Sequence, residues 1–333
     1  MNKVRWGVLS TANIARKALI PAMMQAVNAE VVAIASSSVA KREEIAREFS
    51  IPKQYNEYEA LLKDPEVDAV YIPLPNSLHK EWVMKAARAK KHVLCEKPAA
   101  LTVEDFDEMV LACEQNGVLF MEAFMYQFHP QHSKVKEWIQ AGEIGEVKCV
   151  NASFTFDIKG NANNIRMQKS LGGGSLWDVG SYCVHVIRNL LDSEASEIYV
   201  QGNVPAEFGV DVQALGTMKM ANGVQAQFHS SFELPFHETY TVFGTEGKIT
   251  VPHAFRSDRF EGGKVSVTLE KSDGETITEQ LSGNQYELEV GHFSECILEG
   301  KFPSYTVENT RQNIATIRAG YESLARHAPV KLR

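Results

Sequence analysis

Val4-Arg5-Trp6-Gly7-Val8-Leu9-Ser10-Thr11-Ala12-Asn13-Ile14-Ala15 opens the chain with an apolar run of strand length, a break of small and hydroxyl residues, and the start of a helix-period segment. The same alternation recurs up to about residue 122. Further strands are expected at 31–35, 69–72, 92–95 and 118–121, and helices at 14–27, 40–49, 58–63, 77–89 and 103–116. Nearly uninterrupted apolar strands alternating with helices predict a parallel, doubly wound α/β sheet covered on both faces. Such a sheet takes its ligand at the carboxyl ends of its strands. The turns at those ends are Ser10-Thr11-Ala12, Pro73-Leu74-Pro75-Asn76 and Glu96-Lys97-Pro98.

From residue 123 the rhythm changes. A helix at 131–141 stops at Gly142, and 146–156 reads as a long strand. Alternating stretches follow at 197–202, 214–220, 224–232, 238–243, 248–251, 265–270 and 275–281. Asn222-Gly223, Glu246-Gly247 and Asp273-Gly274 separate several of them and favour hairpins. Helices at 285–299 and 307–327 end the chain. The second half is therefore α+β with a large, mostly antiparallel open sheet, and the domains divide as 1–122 and 123–333. An open sheet leaves one face to be covered. Phe228 and Phe232 are expected on that face, with a second copy as the simplest cover, in a homodimer or homotetramer.

With 333 residues the chain can bury two cores. A net charge of −8 and the lack of a Lys/Arg run argue against nucleic acid and membrane surfaces as partners. No apolar run reaches membrane-spanning length. Five scattered cysteines without a C-x-x-C pair read as reduced thiols. The N-terminus has no signal-peptide h-region, so the cytoplasm is the expected location. His129 and His132 lie three positions apart and Asp178 and His185 seven, but neither pair gains a third ligand, so no metal is expected. G-x-S-x-G and Walker A sequences are both absent.

The opening turn is a degenerate dinucleotide fingerprint. Glycines are due at 10, 12 and 15, where the chain has Ser10, Ala12 and Ala15. Small residues still allow a pyrophosphate to approach Ser10, Thr11, Ala12, Asn13 and Ile14 at a helix N-terminus. On this segment alone an ordinary tight βα turn reads the same. After the second strand, a carboxylate would accept the ribose hydroxyls of NAD. Ser36, Ser37, Ser38, Lys41 and Arg42 stand there instead, with no acid before Glu43. Hydroxyls and cations suit a 2′-phosphate and favour NADP, with NAD as the alternative; a capped helix start with solvated cations is the plainer reading. Pro73, Leu74, Asn76, His79, Glu96 and Lys97 follow strands and point to the same crevice.

The stretch 172–185, Gly-Gly-Gly-Ser-Leu-Trp-Asp-Val-Gly-Ser-Tyr-Cys-Val-His, carries an acid, a phenol and an imidazole on one helix face. Asp178, Tyr182 and His185 stand at i, i+4 and i+7. Apolar residues occupy most of the remaining circumference, which favours the wall of a site over a solvated stripe.

Taken in order, these segments resemble the glucose–fructose oxidoreductase / inositol dehydrogenase (Gfo/Idh/MocA) family. The matching stretches are the opening turn, Pro75-Asn76 with His79, Glu96-Lys97-Pro98, Glu122-Ala123-Phe124-Met125-Tyr126-Gln127-Phe128-His129-Pro130 and 172–185. A tyrosine at 182 is similar to the branch containing xylose dehydrogenase and dimeric dihydrodiol dehydrogenase, since inositol dehydrogenase-like members have histidine there. Two departures stand out: the lost fingerprint glycines, and Gln127 where arginine is frequent. The resemblance implies a Rossmann domain, a C-terminal open-sheet domain used in oligomerisation, and hydride exchange between NAD(P) and a sugar, polyol or other secondary alcohol. It further implies Tyr182 as general acid/base. A free phenol titrates near ~10, and the Lys97 ammonium would lower that value. Asp178 would hold a substrate hydroxyl or orient Lys97, His185 would contact another hydroxyl or serve the structure, and Tyr126 and Phe128 would stack on the substrate or serve the core. Two alternatives remain: a trans-dihydrodiol or other carbonyl/alcohol oxidoreductase, and a non-enzymatic dinucleotide-responsive regulator.

Overall fold

The computed structural model describes residues 2–332. By internal packing the chain divides into two compact units, Met1–Met125 with Tyr286–Arg311, and Tyr126–Gln285 with Gln312–Arg333.

The first unit is built on a six-stranded sheet of β1 (Val4–Leu9), β2 (Ala29–Ala35), β3 (Lys53–Tyr55), β4 (Ala69–Ile72), β5 (His92–Glu96) and β6 (Phe120–Ala123). Every pair is parallel, in the order β3-β2-β1-β4-β5-β6. This is the doubly wound order, and it reverses direction between β1 and β4, where such sheets hold their ligand. All four residues of β4 are buried, as a strand covered on both faces requires. The helices α1 (Ile20–Gln25), α2 (Val39–Glu48), α3 (Tyr58–Leu62), α4 (His79–Arg88) and α5 (Val103–Asn116) fall in the segments read as helical. A π turn, Ala15–Leu19, precedes α1. β3 was not foreseen, because three residues with no apolar run and none of them buried carry no strand signal.

The segment Tyr286–Arg311 returns to this first unit, which a division at residue 122 does not contain. Contacts of very long sequence separation hold it there. Trp6 Nε1–H donates to Ser294 Oγ at 3.2 Å, Asn28 Nδ2–H to Gly291 O at 2.8 Å, and the Trp6 and Phe293 rings lie 6.0 Å apart.

The second unit carries α6 (Pro130–Gln140), β7 (Val147–Thr155), α7 (Ser181–Leu191), β8 (Ala195–Asn203), β9 (Gln213–Met220), β10 (Gln225–Ser231), β11 (His237–Gly244), β12 (Gly247–Val251), β13 (Val265–Lys271), β14 (Thr276–Leu281) and β15 (Val330–Lys331). They form a nine-stranded sheet ordered β14-β13-β12-β11-β7-β10-β9-β8-β15, antiparallel except between β7 and β10. The long helices α8 (Gln285–Glu299) and α9 (Val307–Arg326) contain the points where the chain passes from one unit to the other. No helix among the described residues is long and apolar enough to cross a membrane.

Strand parity corrects one expectation. Phe228 and Phe232 are only 2% and 1% exposed, so they belong to the inner face and not to the open one. Ala226, Phe228 and Ser230 point inward on β10, while Gln225, Gln227 and His229 point out or are partly exposed. Gly216, opposite Phe228 on β9, leaves room for that ring: a Cβ at 216 would lie 2.2 Å from Phe228 Cζ. The outer face carries a depression of about 420 Å³.

Candidate active site

The residues expected to meet the cofactor belong to the first unit. The Ser10 N–H donates to Ala35 O, and Ser10 Oγ accepts the Ala12 N–H at 3.0 Å. Ser10 sits at φ +132°, in territory that favours glycine. The turn thus keeps the backbone of the fingerprint after losing its glycine. No side chain caps the helix that follows, and its early backbone bonding includes the Arg16 N–H on Ala12 O. Thr11 and Ala12 are half-buried and Asn13 is exposed. Past β2, Ser36 is buried while Ser37, Ser38 and Lys41 are exposed. Arg42 is turned inward, its Nη1–H on Ser36 O at 2.7 Å. Its charge therefore braces the Ser36 loop.

The turn carrying Lys97 is braced from several sides. His79, 0% exposed, spans two loops, with Nδ1 3.0 Å from Pro98 O and Nε2 2.8 Å from Leu74 O. Glu122 accepts the Ala99 N–H at 2.8 Å and the Tyr305 hydroxyl at 2.6 Å. Glu96 accepts the Tyr71 hydroxyl at 2.5 Å and the Lys97 N–H at 3.3 Å. Burial raises the pKa of both carboxyls above the usual carboxylate value. Glu289 from α8 is driven well above it by burial and by Glu96. Lys97 itself is half-buried, Pro73 and Leu74 are buried, and Asn76 opens the short turn before α4.

The second unit carries the residues expected to handle the proton and the substrate. A π turn, Leu176–Gly180, leads into α7. Such turns recur at functional positions because they re-aim side chains within a helix. Each of the three glycines before it has its own physical reason. Gly172, at φ +78°, ends the Lys169–Leu171 turn. A Cβ on Gly173 would lie 2.4 Å from Arg166 O. Gly174, at φ +123°, would place a Cβ 2.3 Å from Asp211 Oδ1. Asp211 anchors the helix start, accepting the Leu176 N–H at 2.8 Å, the Ser175 hydroxyl at 2.7 Å and the Tyr321 hydroxyl at 2.6 Å.

Tyr182 is 5% exposed and is packed by the rings of Phe154, Phe255 and Tyr126 at centroid distances of 5.3, 5.4 and 5.6 Å. Asp178 is less buried and makes a salt bridge with Arg166, Nε to Oδ2 at 2.5 Å. Tyr126 and His185 are both 0% exposed, and Tyr126 Oη lies 2.5 Å from His185 Nδ1. Phe128 is half-buried in the short turn before α6. Phe255 is carried by a loop that Glu238 fixes, accepting the Phe255 and Arg256 N–H groups at 2.5 and 2.7 Å. Burial raises the Glu238 pKa to about 7.

Two charged residues of this site escaped the sequence reading, Arg166 and Arg256. Arg256 is paired with Asp258 through two bonds of 2.8 Å. The only sequence signal for Arg166 was local: Asn164 caps its turn, with Oδ1 accepting the Arg166 N–H at 3.1 Å.

Two family models cover most of the chain. The oxidoreductase family with an NAD-binding Rossmann fold matches residues 4–124, and the GFO/IDH/MocA C-terminal domain matches 132–250. The chain is 38% identical over 328 residues to D-xylose 1-dehydrogenase (NADP(+)) 2 of Haloferax volcanii, covering 98% of this chain and 99% of that protein. Its structure is similar to KijD10, a 3-ketoreductase from Actinomadura kijaniata in complex with NADP and TDP-benzene. That comparison gives a TM-score of 0.90 and 30% identity over 97% of this chain and 98% of the other. It is also similar to aldose-aldose oxidoreductase from Caulobacter crescentus complexed with glycerol, with a TM-score of 0.92 and 26% identity, covering 99% of this chain and 100% of that one.

Proposed function

This chain belongs to the Gfo/Idh/MocA oxidoreductase family, and from that premise we propose that it exchanges a hydride between NADP and a CH–OH carbon of a sugar or polyol. The observation that carries the reading is Tyr182, a nearly buried phenol one helical turn from a charged carboxylate, in a chain related throughout its length to an NADP-dependent sugar dehydrogenase. Each unit supports it. The first offers a glycine-like Ser10 turn, an uncapped helix start and exposed Ser37, Ser38 and Lys41 with no acid before Glu43. These fit a pyrophosphate and a ribose 2′-phosphate. The second offers a phenol walled by aromatic rings.

Bound NADP supplies the hydride acceptor, or the donor in reverse. In oxidation the substrate carbon loses its hydrogen as hydride, and the hydroxyl proton passes to Tyr182 Oη. In reduction Tyr182 returns that proton to the new alkoxide oxygen. Lys97 contributes an ammonium that favours phenolate and hydrogen-bonds the substrate oxygen. Asp178 accepts a hydrogen bond from a neighbouring substrate hydroxyl, which favours a polyhydroxylated substrate.

The test is a titration of tryptophan-to-nicotinamide energy transfer with NADPH and NADH, followed by a panel of aldoses, polyols and dihydrodiols. Tighter NADPH binding with turnover of aldoses is expected. Cofactor binding without turnover of any alcohol or carbonyl overturns the reading. Ser37→Asp places a carboxylate where the 2′-phosphate is expected. It should weaken NADPH binding by about tenfold or more and leave NADH nearly unchanged. Equal effects on both cofactors would remove this loop from the cofactor contacts.

We also infer that a second copy covers the outer face of the nine-stranded sheet, giving a homodimer or a tetramer built from such pairs. Tyr199, Leu215, Thr217, Gln227 and His229 line its depression, and Leu215 is 52% exposed. Light scattering should give a mass of at least two chains, and Leu215→Glu should lower it. A monomeric parent protein rejects the inference.

A further inference from the structure

Tyr182 is needed as phenolate when the enzyme oxidises an alcohol, yet a carboxylate stands one turn before it. A lone Asp178 anion would oppose that ionisation, because like charges disfavour each other. The structure supplies a countercharge. Arg166 Nε–H donates to Asp178 Oδ2 at 2.5 Å, and the guanidinium lies 5.5 Å from the centroid of the Phe156 ring. The Asp178 charge, offset by the cost of burial, holds the Arg166 guanidinium above its usual pKa, and Tyr182 adds to this, so the three groups are electrostatically coupled.

Arg166 is built into place. Asn164 caps its N–H, its carbonyl accepts the Gly174 N–H at 2.9 Å, and Gly173 lacks the Cβ that would collide with that carbonyl. The glycine run therefore lets residues 166–168 press against the helix start and deliver the cation to Asp178. The other groups around the phenol on this unit are rings or polar groups with a partner of their own. Phe154, Phe255 and Tyr126 are rings, and His185 is bonded to Tyr126. Arg256 is paired with Asp258, and Glu238 binds the Phe255 and Arg256 N–H groups.

We propose that Arg166 is a positioning residue of the reaction: it holds the Asp178 carboxylate in place and offsets its charge, so that Tyr182 can give up its proton. This rests on Tyr182 being the proton-transferring group.

The experiment compares the parent enzyme with Arg166→Gln, Arg166→Lys and Tyr182→Phe. The readouts are kcat/KM for oxidation against pH, NADPH binding, and tyrosinate absorbance of the cofactor-free protein against pH. In Arg166→Gln the alkaline-favoured limb should move up by about 1–2 pH units. Activity should recover at high pH and NADPH affinity should hold. The tyrosinate step that Tyr182→Phe removes should move by the same amount, and Arg166→Lys should restore most of the parent profile. A pH-independent loss in Arg166→Gln, or an unmoved limb and tyrosinate step, overturns the proposal. If Tyr182→Phe itself keeps the limb, the premise about Tyr182 fails instead, and the two failures are separable.

Discussion

Tyr182→Phe is expected to lower turnover by roughly 10²–10⁴-fold, the usual contribution of a positioned acid or base, while NADPH binds as tightly as to the parent enzyme. The substitution removes one oxygen and keeps the ring. The packing of that ring against Phe154, Phe255 and Tyr126 is therefore retained, and so is the fold. Substrate KM should change little, since the missing interaction matters most in the transition state. Rapid-mixing kinetics with NADP and an aldose measure this directly. Loss of cofactor affinity in step with turnover would identify Tyr182 as a structural residue.

Lys97→Met should cost about 10²–10³-fold in kcat, the scale of removing one preorganised donor at a developing charge. Methionine keeps an unbranched stem of similar length and loses only the ammonium. The turn should survive, because its braces involve the neighbours of Lys97: His79 beside Pro98 O, Glu122 on the Ala99 N–H, and Tyr71 on Glu96. A loss of this size with unchanged thermal stability supports a chemical role. Combining Lys97→Met with Tyr182→Phe adds a second check. Groups that act as a unit are strongly non-additive, so the double variant should fall well short of the product of the single losses. Full multiplicativity would mean that the lysine and the phenol act on separate steps.

The parallel sheet was legible because burial on both faces leaves a simple record, short continuous apolar runs between helical periods. Val4–Leu9, Ala69–Ile72 and Val103–Asn116 match the expected bounds residue for residue. Tyr182 and His185 share α7 as the spacing expects, whereas Asp178 lies in the π turn before it, where the α-helical period does not apply. Their environments were not legible from spacing. His185 meets Tyr126 across 59 positions and Asp178 meets Arg166 across 12, and neither separation is a period of any regular element. Phe228 and Phe232 show the same limit on a strand. Alternation says that neighbouring residues face opposite ways, but it does not say which way is in.

The sequence alone determined most of the strands and helices, the doubly wound class of the first half, and the types of group available for chemistry. All of these depend on neighbours within a few residues. Only the tertiary structure decided that Ser10 adopts a glycine-like backbone, that Tyr286–Arg311 returns to the first unit, and that Glu122 and Tyr305, 183 positions apart, brace the Lys97 turn. It alone also showed that Gly173 makes room for the Arg166 carbonyl where Arg166 reaches Asp178. The reason is physical: hydrogen bonds, ion pairs and steric room depend on which atoms the fold brings within a few ångströms, and a local pattern constrains that only within its own element.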